Sequence, residues 1–273
     1  MFFKRKLTPK LLLCLCAIGL MQGCASSLSL QDISQQHNLD VSREGALELP
    51  VATLSRKGRS ESSSILRVYI EGDGHAWATG SSPSLDPTPR SRMVVDLFLA
   101  DPEPAAYLGR PCQYVTGDAC HQSVWTNARF SQSAVSSMSE ALDALKAKYQ
   151  ASTLELVGYS GGAAMALLLA EQRNDVAVIQ TIAGNLDPTA WVEIQHLDPL
   201  TGSLDPLTHS DRLVRIRQRH LVGINDQVVP PSLTYGFKAK VPGCQQIVEV
   251  SATHADGWLL AWPAYRDTSV PCQ

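Results

Sequence analysis

The sequence lacks an excess of positive charge. It has 23 Lys and Arg against 26 Asp and Glu, which gives a formal net charge of −3 at pH 7. A protein that binds the phosphate backbone of a nucleic acid usually presents a basic face. The composition therefore gives no support for a nucleic-acid partner.

The sequence also lacks the residue spacings that hold metal ions. None of its seven cysteines belongs to a C-x-x-C pair, and no two histidines stand at ligand spacing. Internal repeats and long low-complexity segments are missing as well. What is present is 273 residues, 44% of them hydrophobic, which suits one large domain. We expect no metal ion and no other cofactor.

The N-terminal segment has the pattern of a signal peptide. Four basic residues occur in the first ten positions and precede an uncharged apolar run over residues 11–21. Eleven apolar residues are too few to span roughly 30 Å of hydrocarbon as a stable helix. We therefore predict that residues 1–23 are a signal peptide and that the chain is exported.

Residues 20–24, Leu-Met-Gln-Gly-Cys, resemble the lipobox of bacterial lipoproteins. The resemblance implies that Cys24 becomes the lipid-bearing first residue of a chain with a net charge of about −7. Residues 24–38 are polar and rich in Ser and Gln, and we predict a tether there. Cys24 is not followed by the aspartate that favours inner-membrane retention in such lipoproteins. The resemblance thus implies an outer-membrane lipoprotein, facing the periplasm or the cell surface and joined to the membrane through its lipid.

Four cysteines remain after the signal peptide and Cys24 are set aside, and an oxidising compartment would pair them. Four cysteines allow three connectivities. Proximity in sequence favours Cys112 with Cys120 and Cys244 with Cys272.

Residues 39–273 alternate between strand and helix patterns, which predicts an α/β fold with a mostly parallel central sheet and helices on both faces. Strands are predicted at residues 65–70, 105–108, 154–158, 176–183, 220–223 and 247–250, and helices at residues 93–100, 131–149, 161–171 and 257–262. Residues 185–212 break the alternation with three prolines and a glycine, and we interpret them as a short cap-like insertion.

Residues 158–162, Gly-Tyr-Ser-Gly-Gly, form a G-x-S-x-G motif between a predicted strand and a predicted helix. This is the context of a nucleophile elbow, in which Gly158 and Gly162 leave room for a sharp turn. The motif predicts that Ser160 is a nucleophile at the carboxyl edge of the sheet.

A serine hydroxyl needs a base, and after an elbow the acid follows in sequence and the histidine comes last. Residues 223–231, GINDQVVPP, and the segment around His254 supply both in that order. Here the chain resembles the α/β-hydrolase family, whose acid follows the seventh strand and whose histidine follows the last. The resemblance implies that Asp226 orients His254 and that His254 takes the proton of Ser160.

Other residues compete for these roles. Asp187, after the strand that follows the elbow, is the rival acid. The rival histidines, which chain order disfavours, are His75, His121, His196, His209 and His220.

Acyl transfer also requires two N–H groups that bind the oxyanion. We expect the first from Gly161 and the second from the loop at residues 71–75, where the resemblance selects the N–H of Asp73. Glu71 stands where lipases of this fold often have His, and Asp73 brings a second acid close to a developing negative charge. Such an acid is unfavourable unless it points away or is paired. Trp77 and residues 107–114 could line the same mouth, although core or loop packing explains them better.

The motifs together predict a serine hydrolase that cleaves an ester-, thioester- or amide-like bond in a small-molecule substrate. Ser at position 160 excludes the dehalogenase chemistry of this scaffold, and the short cap favours small or polar acyl groups. The alternative is a non-catalytic envelope lipoprotein that uses the fold for binding. The sequence does not indicate an oligomeric state.

Overall fold

The computed structural model describes residues 29–45, 48–58, 64–102 and 104–272. The predicted signal peptide and Cys24 lie outside the described residues. The strands are β1 (Leu39–Glu44), β2 (Val51–Arg56), β3 (Ile65–Ile70), β4 (Ala105–Leu108), β5 (Thr153–Tyr159), β6 (Val176–Ile182), β7 (Arg217–Gly223) and β8 (Gln245–Val250). The α-helices are α1 (Leu30–His37), α2 (Met93–Leu99), α3 (Gln122–Trp125), α4 (Gln132–Tyr149), α5 (Gly161–Gln172), α6 (Pro188–Ile194), α7 (Pro231–Lys240) and α8 (Trp258–Ala261).

The strands form one sheet in the order β1-β2-β4-β3-β5-β6-β7-β8. The pairs β1–β2 and β2–β4 are antiparallel, and every pair from β4–β3 to β7–β8 is parallel. Parallel neighbours require crossover connections, which the helices supply. The prediction of a mostly parallel sheet is confirmed.

Two apolar layers cover the faces of this sheet. On one face the core combines the apolar side chains of α4 and α5 with Phe237 of α7. On the other face it combines α1, α2 and α8, including Trp258. Alternate residues of β5 serve the two layers, since Leu154 and Leu156 lie in the first and Val157 lies in the second. The sheet is therefore buried on both sides, and the carboxyl ends of its parallel strands are left to carry a site.

The predicted strands and helices all form, with small shifts at their ends. The tether prediction differs from the structure. Residues 30–37 form α1, in which Ser29 caps the N-terminus and Leu30 and Ile33 are buried. These two apolar side chains pack into the second layer, so the folded body begins before residue 39.

Two disulfides join the cysteines that sequence proximity pairs. Cys112 and Cys120 close a short loop, and Cys244 ties the start of β8 to Cys272 near the C-terminus. Structural disulfides persist in oxidising compartments, so both bonds are compatible with export. Within the described ranges, none of the helices combines the length and the apolar character needed to cross a membrane.

Candidate active site

Ser160 occupies a strained turn between β5 and α5. Its backbone has φ 51° and ψ −123°, a conformation that few non-glycine residues adopt. A Cβ atom on Gly158 would lie 2.5 Å from the carbonyl oxygen of Gly162, and a Cβ on Gly162 would lie 2.5 Å from that of Glu71. The two glycines are therefore required by close backbone contacts, and the turn lifts Ser160 above the carboxyl edge of the sheet.

The structure brings Ser160, His254 and Asp226 into one hydrogen-bonded chain. His254 Nε2 lies 3.0 Å from Ser160 Oγ, and His254 Nδ1 lies 2.8 Å from Asp226 Oδ2. The other carboxylate oxygen of Asp226 accepts the N–H groups of Val228 and Val229 at 2.8 and 2.9 Å. The Asp226 side chain is fully buried, so both of its oxygens are held in fixed directions. A serine, an imidazole and an orienting carboxylate in this geometry can activate the hydroxyl as a nucleophile.

Two aromatic residues hold His254 in place. The ring of Tyr159 lies 5.3 Å from the imidazole, and its hydroxyl donates to the His254 carbonyl at 3.1 Å. Trp258 Nε1 donates to the same carbonyl at 3.0 Å. The loop that carries the imidazole is therefore anchored from both β5 and α8.

The rival residues have other partners. Asp187 caps α6 through the N–H of Ala190 and pairs with Lys240 at 2.6 Å. His220 is buried in β7, and its Nδ1 lies 2.9 Å from Thr181 Oγ1. Burial lowers the pKa of His220 to about 3, so it remains a neutral core side chain. Neither residue contacts Ser160.

Two free N–H groups lie near Ser160, one from the loop after β3 and one from the start of α5. Gly72 packs so closely that a Cβ atom on it would lie 3.3 Å from the Cβ of Ser160. Its own N–H is taken by Glu71 Oε1 at 2.9 Å, and its carbonyl accepts from Gln113 Nε2 at 3.0 Å. Within the described part of the chain, no acceptor takes the N–H of Asp73 or of Gly161. These are the two donors predicted for an oxyanion.

The acidic side chain of Asp73 is paired with two arginines. Arg129 lies 2.6 Å from one carboxylate oxygen and Arg110 lies 3.2 Å from the other. Burial alone would raise the pKa of Asp73, but the guanidinium groups of Arg129 and Arg110 hold it below its ordinary value. The cluster of one carboxylate and two guanidinium groups carries a net positive charge. The acid that looked unfavourable in the sequence is therefore neutralised.

Both carboxylate oxygens of Glu71 accept hydrogen bonds from the protein. Its Oε2 accepts the hydroxyl of Tyr107 at 2.9 Å, while its Oε1 holds the Gly72 N–H. Burial raises the pKa of Glu71 to about 7, although the hydrogen bonds from Gly72 and Tyr107 and the charge of Arg110 oppose the rise. Its role in this geometry is to fix the backbone of the oxyanion loop.

The raised pKa predicts how replacing Glu71 changes the pH dependence of stability. The protonated carboxyl stabilises the folded state fully below the unfolded pKa, about 4.5, and this contribution is lost as the pH rises through about 7. Glu71→Gln keeps an acceptor for Gly72 and does not ionise. Between about pH 5 and pH 8, its free energy of unfolding should rise relative to the native chain by about 2–3 kcal/mol, measured by urea titration. Glu140→Gln, on the exposed side of α4, is the control, and parallel curves for all three chains would contradict the prediction.

A cavity of about 410 Å³ opens beside Ser160. Its walls are formed by Glu71, Asp73, Gly74, His75, Pro89, Arg90, Ser91, Tyr159, Ser160, Trp191, Val228 and His254. Trp191 comes from α6, in the segment predicted to be a cap. Its Nε1 donates to the carbonyl of Val228 at 2.8 Å, and Gln195 donates to the same carbonyl at 3.0 Å. The cap segment is thus fastened to the loop that carries Asp226.

Several residues that support the site were not assigned that role from the sequence. Tyr107, Arg110 and Gln113 lie beneath the oxyanion loop and contact it, and they do not line the cavity mouth. Trp77 lies outside the cavity wall too. Arg129 follows a four-residue helix, and nothing in the local sequence indicated a partner 56 residues away. Among the described residues, no group of three or more His, Cys, Asp or Glu is placed to hold a metal ion.

Neither a protein-family model nor the sequence of a curated protein matches this chain. Solved structures do match. An esterase of Pyrococcus furiosus aligns with a TM-score of 0.58 at 11% identity, over 85% of this chain and 91% of the esterase. An alpha-beta serine hydrolase homologue from Coxiella burnetii aligns with a TM-score of 0.58 at 12% identity, over 84% of this chain and 97% of that one.

A puromycin-hydrolysing peptidase from Mycobacterium tuberculosis aligns with a TM-score of 0.54 at 18% identity. The alignment covers 79% of this chain but 36% of the peptidase, so the chain spans about a third of that protein. At such identities the likeness establishes the fold alone. This chain has the α/β-hydrolase fold.

Proposed function

We propose that this protein is a serine hydrolase that cleaves an ester-, thioester- or amide-like bond through an acyl-enzyme formed on Ser160. The observation that carries the proposal is the chain of two hydrogen bonds, 3.0 Å from Ser160 to His254 and 2.8 Å from His254 to Asp226. It lies at the carboxyl edge of the sheet, where this fold carries its chemistry.

In the acylation step, Ser160 Oγ attacks the substrate carbonyl carbon while His254 Nε2 accepts the hydroxyl proton. Asp226 accepts a hydrogen bond from Nδ1, which keeps Nε2 free to act as a base and stabilises the imidazolium that forms. The imidazolium then gives its proton to the leaving group as the tetrahedral intermediate collapses. Water repeats the sequence on the acyl-enzyme, with His254 as base, and releases Ser160.

The tetrahedral intermediate places a negative charge on the former carbonyl oxygen. In the proposal, the N–H groups of Gly161 and Asp73 bind this oxyanion, as neither has an acceptor among the described residues. The positive charge of the Arg110 and Arg129 cluster lies behind them and favours the same charge development. The acid of the loop therefore does not oppose the reaction.

The cavity supports a small substrate. Its volume of about 410 Å³ falls at the lower end of the range for small-molecule sites. Polar side chains such as His75 and Ser91 share its walls with apolar surface from Trp191 and Val228, so a short substrate with polar and apolar parts fits better than a long alkyl chain. The solved structures with this fold include an esterase and a peptidase, in keeping with either bond type.

A fluorophosphonate probe tests the proposal directly, because it reacts with a serine that a neighbouring base activates. Intact-protein and peptide mass spectrometry should find one adduct on Ser160 in the folded native chain. The adduct should disappear in Ser160→Ala and form at least 100-fold more slowly in His254→Ala. Ser91→Ala, which removes another hydroxyl of the same cavity, should label at the native rate.

The same experiment decides against the proposal if a folded native chain forms no adduct on Ser160. In that case the fold would serve as a binding module. Circular dichroism of each variant separates loss of activation from loss of folding.

We also propose that the chain acts in the cell envelope, held to the outer membrane by a lipid on Cys24. The signal-like and lipobox-like segments support this location, and the two disulfides are compatible with it. Detergent phase partitioning of the chain purified from membranes tests the anchor. The native chain should enter the detergent phase, and Cys24→Ser should remain in the aqueous phase; equal partitioning would rule out the lipid.

A further inference from the structure

The charged side chains around the cavity differ in whether they have a hydrogen-bonding partner in the protein. The carboxylate of Asp73 is held by its two arginines, and that of Glu71 is turned toward Gly72 and Tyr107. Arg90 also lines the cavity and is exposed, and no described residue accepts a hydrogen bond from its guanidinium group. The cavity therefore presents an available cation to whatever enters it.

The neighbouring residue Arg92 shows the contrast. Its guanidinium donates to Asp96, four residues further along the chain, at 3.1 Å, and Arg92 does not line the cavity. Arg92 thus belongs to a local ion pair, whereas Arg90, two positions earlier, lies in the cavity wall together with Ser160. Arg90 is the better placed of the two to contact a substrate.

The two carboxylates of the cavity wall, Glu71 and Asp73, are held by other groups and do not pair with Arg90. The cluster of Asp73, Arg110 and Arg129 adds net positive charge behind the oxyanion loop. A guanidinium group presents its N–H donors in a planar fork that matches the two oxygens of a carboxylate. An anionic group on the substrate would therefore gain both a directed contact and a favourable field.

We infer that Arg90 is a specificity-determining residue that binds a carboxylate carried by the substrate of Ser160. The inference rests on the proposed function and narrows its substrate class to small esters or amides with a free carboxylate. Trp191 and Val228 provide apolar wall for the carbon atoms between the carboxylate and the scissile bond. The volume of about 410 Å³ limits that spacer to a short chain or one ring.

Two pairs of substrates test the inference and locate the carboxylate relative to the scissile bond. On the acyl side, mono-4-nitrophenyl glutarate is compared with 4-nitrophenyl glutaramate. On the leaving-group side, 4-acetoxybenzoate is compared with 4-acetoxybenzamide. Each pair has nearly the same shape and differs in charge, so the ratio of kcat/KM within a pair, after subtraction of the uncatalysed rate, isolates the contribution of the anion.

The native chain should favour the carboxylate over its amide by ~3- to 10-fold in at least one pair. Arg90→Gln should bring that ratio to about 1, and Arg90→Glu should reverse it. Arg92→Gln is the matched control and should keep the native ratio. Raising the salt concentration should reduce the native preference and leave Arg90→Gln unchanged.

A native ratio near 1 in both pairs, or a preference that survives in Arg90→Gln, would overturn the inference. Either result would leave the proposed function standing, because the ester bonds of the neutral carboxamide substrates would still be hydrolysed and Ser160 would still be labelled. A folded native chain that hydrolyses neither member of a pair and takes no label on Ser160 would instead count against the proposed hydrolase itself.

Discussion

Asp226→Asn should lower kcat by about 10,000-fold for any ester that the native chain hydrolyses. Oδ1 of Asp226 accepts the N–H groups of Val228 and Val229, so an asparagine must keep its carbonyl oxygen there. Its amide nitrogen would then face His254 Nδ1, where a carboxylate oxygen now lies at 2.8 Å. The amide donates to Nδ1, the ring proton moves to Nε2, and Nε2 can no longer accept the proton of Ser160.

The measurement is steady-state kinetics together with the rate of fluorophosphonate labelling, and both should fall together. Asp187→Asn is a matched control, since Asp187 is also a buried aspartate after a parallel strand but caps α6 and pairs with Lys240. It should lower stability and leave kcat within about 3-fold of native. A kcat within tenfold of native in Asp226→Asn, or an equal loss of kcat in Asp187→Asn, would show that Asp226 is not the acid that orients His254.

The nucleophile turn was predictable because its requirements fall on five consecutive residues. A Cβ at Gly158 is excluded by the backbone of Gly162 and Ala163, and a Cβ at Gly162 is excluded by the backbone at the end of β3. The positions of Asp226 and His254 were predictable for a different reason. The order of a parallel sheet brings the ends of β7 and β8 to the same edge as β5, and chain order then selects among the candidates.

The parts of the fold missed in the sequence have weak local patterns. The strands β1 and β2 lie at the antiparallel edge of the sheet, where buried and exposed residues do not alternate regularly. Only one residue of β1 is buried. The helix α1 has eight residues, and two buried side chains attach it to the core. Such a short polar segment is difficult to distinguish from a tether, because its stability comes from tertiary packing.

The pairing of Asp73 could not be read from sequence at all. Arg110 and Arg129 lie 37 and 56 residues further along the chain, and neither belongs to a recognisable motif. The sequence did show an acid beside an oxyanion donor, which is unfavourable unless the acid is paired. The fold pairs it through long-range salt bridges to Arg110 and Arg129, so the acid and the two arginines belong to one structural unit with the loop.

Arg129→Met should therefore lower kcat by about 10- to 100-fold with a smaller effect on KM. The carboxylate of Asp73 lies directly against Gly161, where a Cβ atom would overlap with Oδ1. Without the 2.6 Å ion pair to Arg129, that carboxylate keeps one longer contact, 3.2 Å, to Arg110. The remaining pair has no net positive charge to favour the oxyanion, and the less firmly held carboxylate can accept the N–H of Gly161 that the transition state needs. Arg129 acts here as a positioning residue.

Rescue separates this role from simple support of the fold. Asp73→Asn in the Arg129→Met background removes the charge and keeps the backbone N–H, so kcat should recover to within about tenfold of native. Arg173→Met is the control, because the Arg173 side chain is also only 8% exposed and pairs with two acids, Asp143 and Asp175, at 2.6 Å each, but lies away from Ser160. Arg173→Met should lower the free energy of unfolding without lowering kcat. If the double variant is no faster than Arg129→Met, or if Arg173→Met loses as much kcat, Arg129 serves the fold and not the oxyanion.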